Sequence, residues 1–327
     1  MTTFLDEIPN DALHQTSFLS EQLTLVPPQE TGVYEATLTI IGQALTPYIV
    51  KQVMHAFQDV LKVRGVYLHP LHNKMGDGVV VIKGDLRESS DNTIASLVET
   101  LSEQYHIDLG LQTNQPELQV PGLLVMDMDS TVIDIECVDE IAKLAGVGEQ
   151  VSKVTERAMR GEIDFNDSLT HRVACLKGVP VSQLKQIRDR IPLMPGVKLL
   201  IDTLKQHGWK VAIASGGFTY FADHLKQRLE LDEAVSNTLV VKDGVLSGEV
   251  MGEIVNAQVK ARTVNELAQR WDIPGHQTVA MGDGANDLVM MAQSALGVAC
   301  HGKPVVNQQA DVAIRWGSLH CLLYFLR

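Results

Sequence analysis

The sequence predicts a doubly wound parallel α/β sheet with a helical cap inserted after its first strand, preceded by a smaller ferredoxin-like α+β domain. Three observations lead there. From residue 123 onward, short apolar runs alternate with helical stretches, as in a parallel sheet covered on both faces. Between the first two runs lies a long helical segment with no strand pattern. Before them, residues 35–113 follow a βαββαβ order. A chain of 327 residues is long enough to bury two separate cores.

Composition narrows the function classes. The formal net charge is −13, which argues against a nucleic-acid partner, because phosphate backbones need a basic face. An acidic protein that handles phosphate needs a metal or a few well-placed cations. Cys137, Cys175, Cys300 and Cys321 are far apart and form no CxxC, so free thiols in a reducing cytosol are expected rather than a disulfide framework or a zinc site. The segment "MTTFLDEIPNDALHQ" lacks the apolar centre of a signal peptide. No run reaches the roughly 18 apolar residues of a membrane span, and "LHCLLYFLR" is too short for one.

Residues 1–34 are polar and carry a "PPQETG" breaker cluster, which reads as an extension. In "EATLTII", Ala36, Leu38 and Ile40 alternate with Glu35, Thr37 and Thr39, the pattern of a half-buried strand that Gly42 ends. Thr46 and Pro47 suit the N-cap and first position of a helix whose apolar face runs from Ile49 to Leu61. "GVYLHPL" and "GVVVIKGD" are two further strands, Ile94 to Leu101 mark a second helix, and "IDLGLQ" is a fourth strand. This pattern resembles the ACT regulatory domains, modules that often bind amino acids or pair with one another. The resemblance implies serine binding and a homodimer contact in this domain.

"TNQPELQVPG" is a linker by composition, with residues 114–122 joining the domains. The second domain, 123–327, contains the runs "LLVMD", "KVAIAS", "TVAMGD", "LGVA" and "DVAI". The helical insertion, about 137–195, sits over the strand ends and reads as a cap. In "TLVVKDGVLSGEV", Asp243-Gly244 supplies a type I′ hairpin turn. Ligands of such sheets bind at the carboxyl ends of the strands, where three runs stop at Asp127, Ser215 and Asp283.

Those ends carry the chemistry. Asp127 and Asp129 repel each other unless a cation lies between them or one holds a proton. Asp283 and Asp287 add more negative charge, and such an oxygen-rich cluster suits Mg²⁺. One DxD alone is as often a solvated loop; two acidic clusters that each close a buried strand are not. Ser215 and Gly216, in "SGG", offer a hydroxyl and unobstructed amides to an anion at a helix start, although most such triplets are only turns. Lys260, taken singly, reads as a solvated lysine.

In order and approximate spacing, "DMDST", the "SGG" strand end, Lys260 and "GDGAND" resemble the four motifs of the haloacid dehalogenase superfamily over about residues 123–327. The resemblance implies that Asp127 is a nucleophile that becomes phosphorylated and Asp129 the general acid and base. It also implies a metal held by the carboxylates of Asp127 and Asp283 and the main-chain carbonyl of Asp129, with Asp287 behind them. P-type ATPases share the scheme but carry lysine where Asp129 stands, so aspartate favours rapid hydrolysis of the phosphoenzyme.

The cap suggests the substrate. Glu136 and Arg172 would suit the ammonium and carboxylate of an amino acid, although each alone reads as a surface charge. Together, "DMDSTVIDIECVDE", "AMRGEIDFNDSL" with Arg172, and "GDGANDLVM" closely resemble the phosphoserine phosphatases. That resemblance implies O-phospho-L-serine as substrate, Met159 and Phe165 as pocket walls, and Asn286 near the phosphate. His171 reads as packing or surface. Two alternatives stay open: a phosphatase for another small ester such as phosphothreonine, phosphohomoserine or a sugar phosphate, and an amino-acid-sensing protein built on residues 35–113.

Overall fold

In the computed structural model, residues 34–327 are described; the expected extension at 1–34 thus lies almost wholly outside them, as does the side chain of Met159. The elements in chain order begin with β1 (Ala36–Gly42), α1 (Pro47–Ala56), β2 (Leu61–Leu68), β3 (Gly78–Leu86), α2 (Asp91–Tyr105) and β4 (Asp108–Gln112). Next come β5 (Leu123–Met126), then α3 (Cys137–Leu144), α4 (Gly148–Met159), α5 (Phe165–Cys175) and α6 (Val181–Arg188), the four helices of the insertion. They are followed by α7 (Val197–Gln206), β6 (Lys210–Phe218), α8 (Thr219–Arg228), β7 (Glu233–Lys242), β8 (Val245–Met251) and α9 (Ala257–Arg270). The chain continues with β9 (Thr278–Gly282), α10 (Leu288–Met291), β10 (Leu296–Cys300), α11 (Pro304–Gln309) and β11 (Val312–Ile314). The described residues form two units, 34–117 with 298–327, and 118–297; the division falls inside β10.

The first unit holds an antiparallel sheet of order β2-β3-β1-β4, the ferredoxin-like arrangement. Thr46 caps α1 by accepting from the Ile49 amide at 3.3 Å, and Pro47 follows it. Leu38, Ile40, Val80, Ile82 and Leu109 pack with Val50, Val53, Phe57 and Leu101 in one core. The alternation in β1 predicts one wet face, yet all seven of its residues are buried. The reason is the segment Leu319–Phe325, a short 3₁₀ helix buried along its whole length. Gly110 pairs with Thr39, and a Cβ added to it would lie 2.6 Å from Phe325 and 2.7 Å from Val312. The threonine face is therefore covered by 312–325. Sequence texture assigned these residues to the second domain; in the structure they complete the first unit.

The carboxylate of Asp108 fastens that covering segment. It accepts from the backbone N–H groups of Arg315 at 2.7 Å, Trp316 at 3.0 Å and Gly317 at 2.8 Å. Three donors on one buried carboxylate satisfy a turn that has no strand partner.

In the second unit, β9-β5-β6-β7 is parallel and β8 returns antiparallel on β7. Asp243 and Gly244 both have positive φ, 51° and 78°, as a type I′ turn requires. The hairpin also reaches the cap: Val181 N donates to Gly244 O at 3.0 Å and Leu246 N to Val179 O at 2.8 Å. Among the described residues no helix is long and apolar enough to cross a membrane, and none of the four cysteines is in a disulfide.

Replacing Asp108 by Ala strands three part-buried backbone amides, for a loss of about 2–3 kcal/mol. Hydrogen exchange checks this: the Arg315, Trp316 and Gly317 amides should lose protection while amides of β5 and β9 keep theirs.

Candidate active site

The carboxyl ends of β5, β6 and β9 bring the predicted polar residues together. Asp127 follows β5 directly, and its own amide donates to Met281 O of β9 at 2.9 Å, so the sheet register fixes its position. Both its described bonds fall on Oδ1: Lys260 Nζ at 2.8 Å and Met128 N at 2.7 Å. Lys260 sits one turn into α9, which Asn256 caps by accepting from Gln258 N and Val259 N. It is 1% exposed and also pairs with Asp287 Oδ1 at 2.7 Å. Burial alone would lower its pKa, but Asp127 and Asp287 overcome this and hold it raised.

Asp287 is fully buried, with both oxygens engaged, one by Lys260 and the other by Gly284 N at 3.0 Å. Burial and Asp127 push its carboxyl up, while Lys260 pulls it down. A Cβ on Gly282 would fall on the Asp287 carboxylate, so only glycine leaves room for it. Burial, then Asp127, Asp287 and Glu136, push Asp283 up to about 7. The Thr131 hydroxyl donates to it at 3.4 Å. Asp127, Asp283 and Asp287 place one oxygen each within 4.8 Å of one another. Hard oxygen donors under mutual repulsion fit a divalent cation such as Mg²⁺.

Asp129 is raised well above the ordinary carboxyl range, by burial first and then by Glu136 and Asp127. The thiol and amide of Cys137, at the start of α3, hydrogen-bond to it and partly oppose that rise. Its Oδ1 is buried without a hydrogen-bond partner. A carboxyl placed this way favours holding a proton.

On β6, Ser215 is 1% exposed, and its Oγ accepts from Gly217 N at 3.0 Å. The sequence suggests that this triplet opens a helix; instead the strand runs through Phe218 and α8 begins at Thr219. Asn286 lies beside Asp287, with Nδ2 at 3.3 Å from its Oδ1.

Two cap residues face this cluster. Phe165 and Arg172 are seven apart on α5 and share a helix face. A Cβ on Gly216 would meet Phe165 Cζ at 2.8 Å, so the ring lies against the "SGG" loop. Arg172 is half-buried, and its Nε has no hydrogen-bond partner. Burial lowers its pKa against the pull of Asp139, Glu136 and Asp129, which places the guanidinium within the field of these acids. Glu136, directly before α3, accepts from Ser130 Oγ at 2.8 Å. Desolvation, with Asp127 and Asp139, raises its carboxyl despite the opposing Ser130 bond. Met159 closes α4, and His171 is exposed.

Sequence reasoning missed Ser130, Thr131 and Cys137. They adjoin the motifs, and only the fold shows which way they turn. Ser130 has φ 57°, a left-handed conformation rare outside glycine. Asn256 had a readable signal, a capping residue just before an apolar helix face.

Residues 122–295 match the haloacid dehalogenase-like hydrolase family, over half of the chain. The chain belongs to that family. Within it, the phosphoserine phosphatase of Vibrio cholerae is 54% identical over 236 residues, 71% of this chain and 72% of the relative. The crystal structure of a probable phosphoserine phosphatase from Vibrio cholerae, in unliganded form, superposes with a TM-score of 0.75 at 41% identity. That match covers 99% of this chain and 92% of the other. A substrate-bound phosphoserine phosphatase complex gives a TM-score of 0.60 at 38% identity, covering 63% and 99%.

The buried lysine generates a prediction about stability. Lys260→Met leaves two buried carboxylates without their cation and should cost about 3–5 kcal/mol. Adding Asp287→Asn in that background should restore part of the loss, as read from urea unfolding midpoints.

Proposed function

We propose that this protein is a cytoplasmic phosphoserine phosphatase, hydrolysing O-phospho-L-serine to L-serine and phosphate at the end of serine biosynthesis. The observation that carries it is the pairing of two halves. A strand-end aspartate locked to a buried lysine lies beneath a cap that presents Arg172, whose Nε has no hydrogen-bond partner, and the Glu136 carboxylate. The relatives named as phosphoserine phosphatases support the same reading.

Asp127 has Oδ1 tied to Lys260 and the Met128 amide, which leaves Oδ2 as the attacking oxygen. It bonds to phosphorus as the bond from phosphorus to the serine oxygen breaks. Asp129, protonated through its burial, gives its proton to the departing serine oxygen. In the second half, Asp129 takes a proton from water, the water oxygen bonds to phosphorus, and the aspartyl bond breaks to release phosphate. Lys260 and the Ser215 hydroxyl counter charge on the phosphoryl oxygens, with Gly216 and Asn286 beside them. Mg²⁺, held by Asp127, Asp283 and the main-chain carbonyl of Asp129, would supply further neutralisation of those oxygens. Asp287 keeps Lys260 and the "GDGAND" loop in place. Arg172 takes the substrate carboxylate in a two-pronged bond and Glu136 its ammonium, with Phe165 and Met159 as apolar walls.

We read the antiparallel unit as an ACT-like regulatory domain that binds serine and pairs in a homodimer. Support comes from its strand order and from a cavity of about 320 Å³ lined by Gly42, Gln43, Tyr105, His106 and Trp316.

One assay tests the catalytic reading. The full chain should release phosphate from L-phosphoserine with Mg²⁺ and lose that activity with a chelator; no release under either condition removes the assignment. In the same assay Arg172→Ala should lower kcat/KM for phosphoserine on the order of 10²–10³-fold. It should touch p-nitrophenyl phosphate, which has no carboxylate, far less; equal losses would sink the carboxylate role. For the regulatory reading, serine should inhibit turnover and light scattering should give twice the chain mass. A monomer indifferent to serine would end that reading.

A further inference from the structure

Asn237, on β7, is 1% exposed and lies outside every motif. Its Nδ2 donates to Gly216 O at 2.8 Å, and its Oδ1 accepts from Val255 N at 2.9 Å. Gly216 O and Gly217 N belong to one peptide plane, which is rigid. On one side that plane is held by Asn237; on the other its N–H donates to Ser215 Oγ at 3.0 Å. A hydroxyl that accepts there has its own proton turned away from Gly217. Val255 directly precedes Asn256, the cap of the helix that carries Lys260. One amide therefore joins the loop that aims Ser215 to the start of the helix that aims Lys260.

We infer that Asn237 is a positioning residue, which sets the Ser215 hydroxyl toward the phosphoryl group through the Gly216–Gly217 peptide. The inference rests on the phosphatase reading. Without the Nδ2 donor the peptide is free to rotate, and the Gly217 N–H leaves Ser215 Oγ. The Asn237 effect must then travel through Ser215, which a purely structural amide would not require.

A double-mutant cycle on the full chain reads this, with kcat on L-phosphoserine as the observable. Asn237→Ala should lower kcat about 10–30-fold in the wild-type background, the scale of a misplaced contact group. In a Ser215→Ala background the same change should cost less than about 2-fold. Asn237→Asp keeps the shape and the acceptor for Val255 while removing the donor, so it runs the cycle if the alanine variant does not fold. Its losses should follow the same non-additive pattern. Equal losses in both backgrounds would overturn the positioning role while leaving wild-type turnover intact. Absence of phosphoserine turnover in the wild type would instead remove the phosphatase reading beneath it.

Discussion

Lys260 sits where an ammonium should be least stable, 1% exposed and so cut off from bulk solvent. Its charge survives because Asp127 and Asp287 lie at 2.8 and 2.7 Å. The dependence runs both ways, since neither carboxylate tolerates that depth without the lysine. Once the triad is set, much else follows. Asp287 anchors the loop after β9, Asp127 is aimed by its bonded oxygen, and Gly282 cannot carry a side chain. Asp283 and Asp129, which make no ion pair with the lysine, are left with raised affinities for a proton or a cation.

The cap solves a different problem. The sheet end handles a phosphoryl group but has nothing to distinguish one ester from another. On α5, seven-residue spacing puts an apolar ring against the "SGG" loop and a guanidinium on the same side. Asn166, also on α5, accepts from Asn256 at 3.1 Å, so the helix that carries Phe165 and Arg172 is tied to the cap of the helix that carries Lys260. In the proposed reading, recognition and charge stabilisation thus meet across one exposed hydrogen bond.

Much of this was legible in the sequence because strand ends are punctuated by chemistry. Asp127, Ser215 and Asp283 could be placed at one sheet edge from apolar runs alone, and the Asp243-Gly244 turn from its two residues. What escaped notice depends on orientation. Nothing about Asn237 distinguishes it from any polar strand residue until its two bonds are seen. The threonines of β1 read as solvent-facing because alternation reports a face, not what covers it. The cover, 312–325, is distant in sequence and opens with β11, which pairs in parallel with β10 as its apolar run suggests, so nothing in the sequence marks its second role.

That cover has a consequence for how the protein is made. The antiparallel unit opens with β1, yet the apolar segment that closes the threonine face follows the entire second unit along the chain. A ribosome delivers the two pieces in that order, so the unit begun first is completed only after the catalytic unit has emerged. Until then the sheet face that carries Thr37 and Thr39 is without the segment that buries it in the fold.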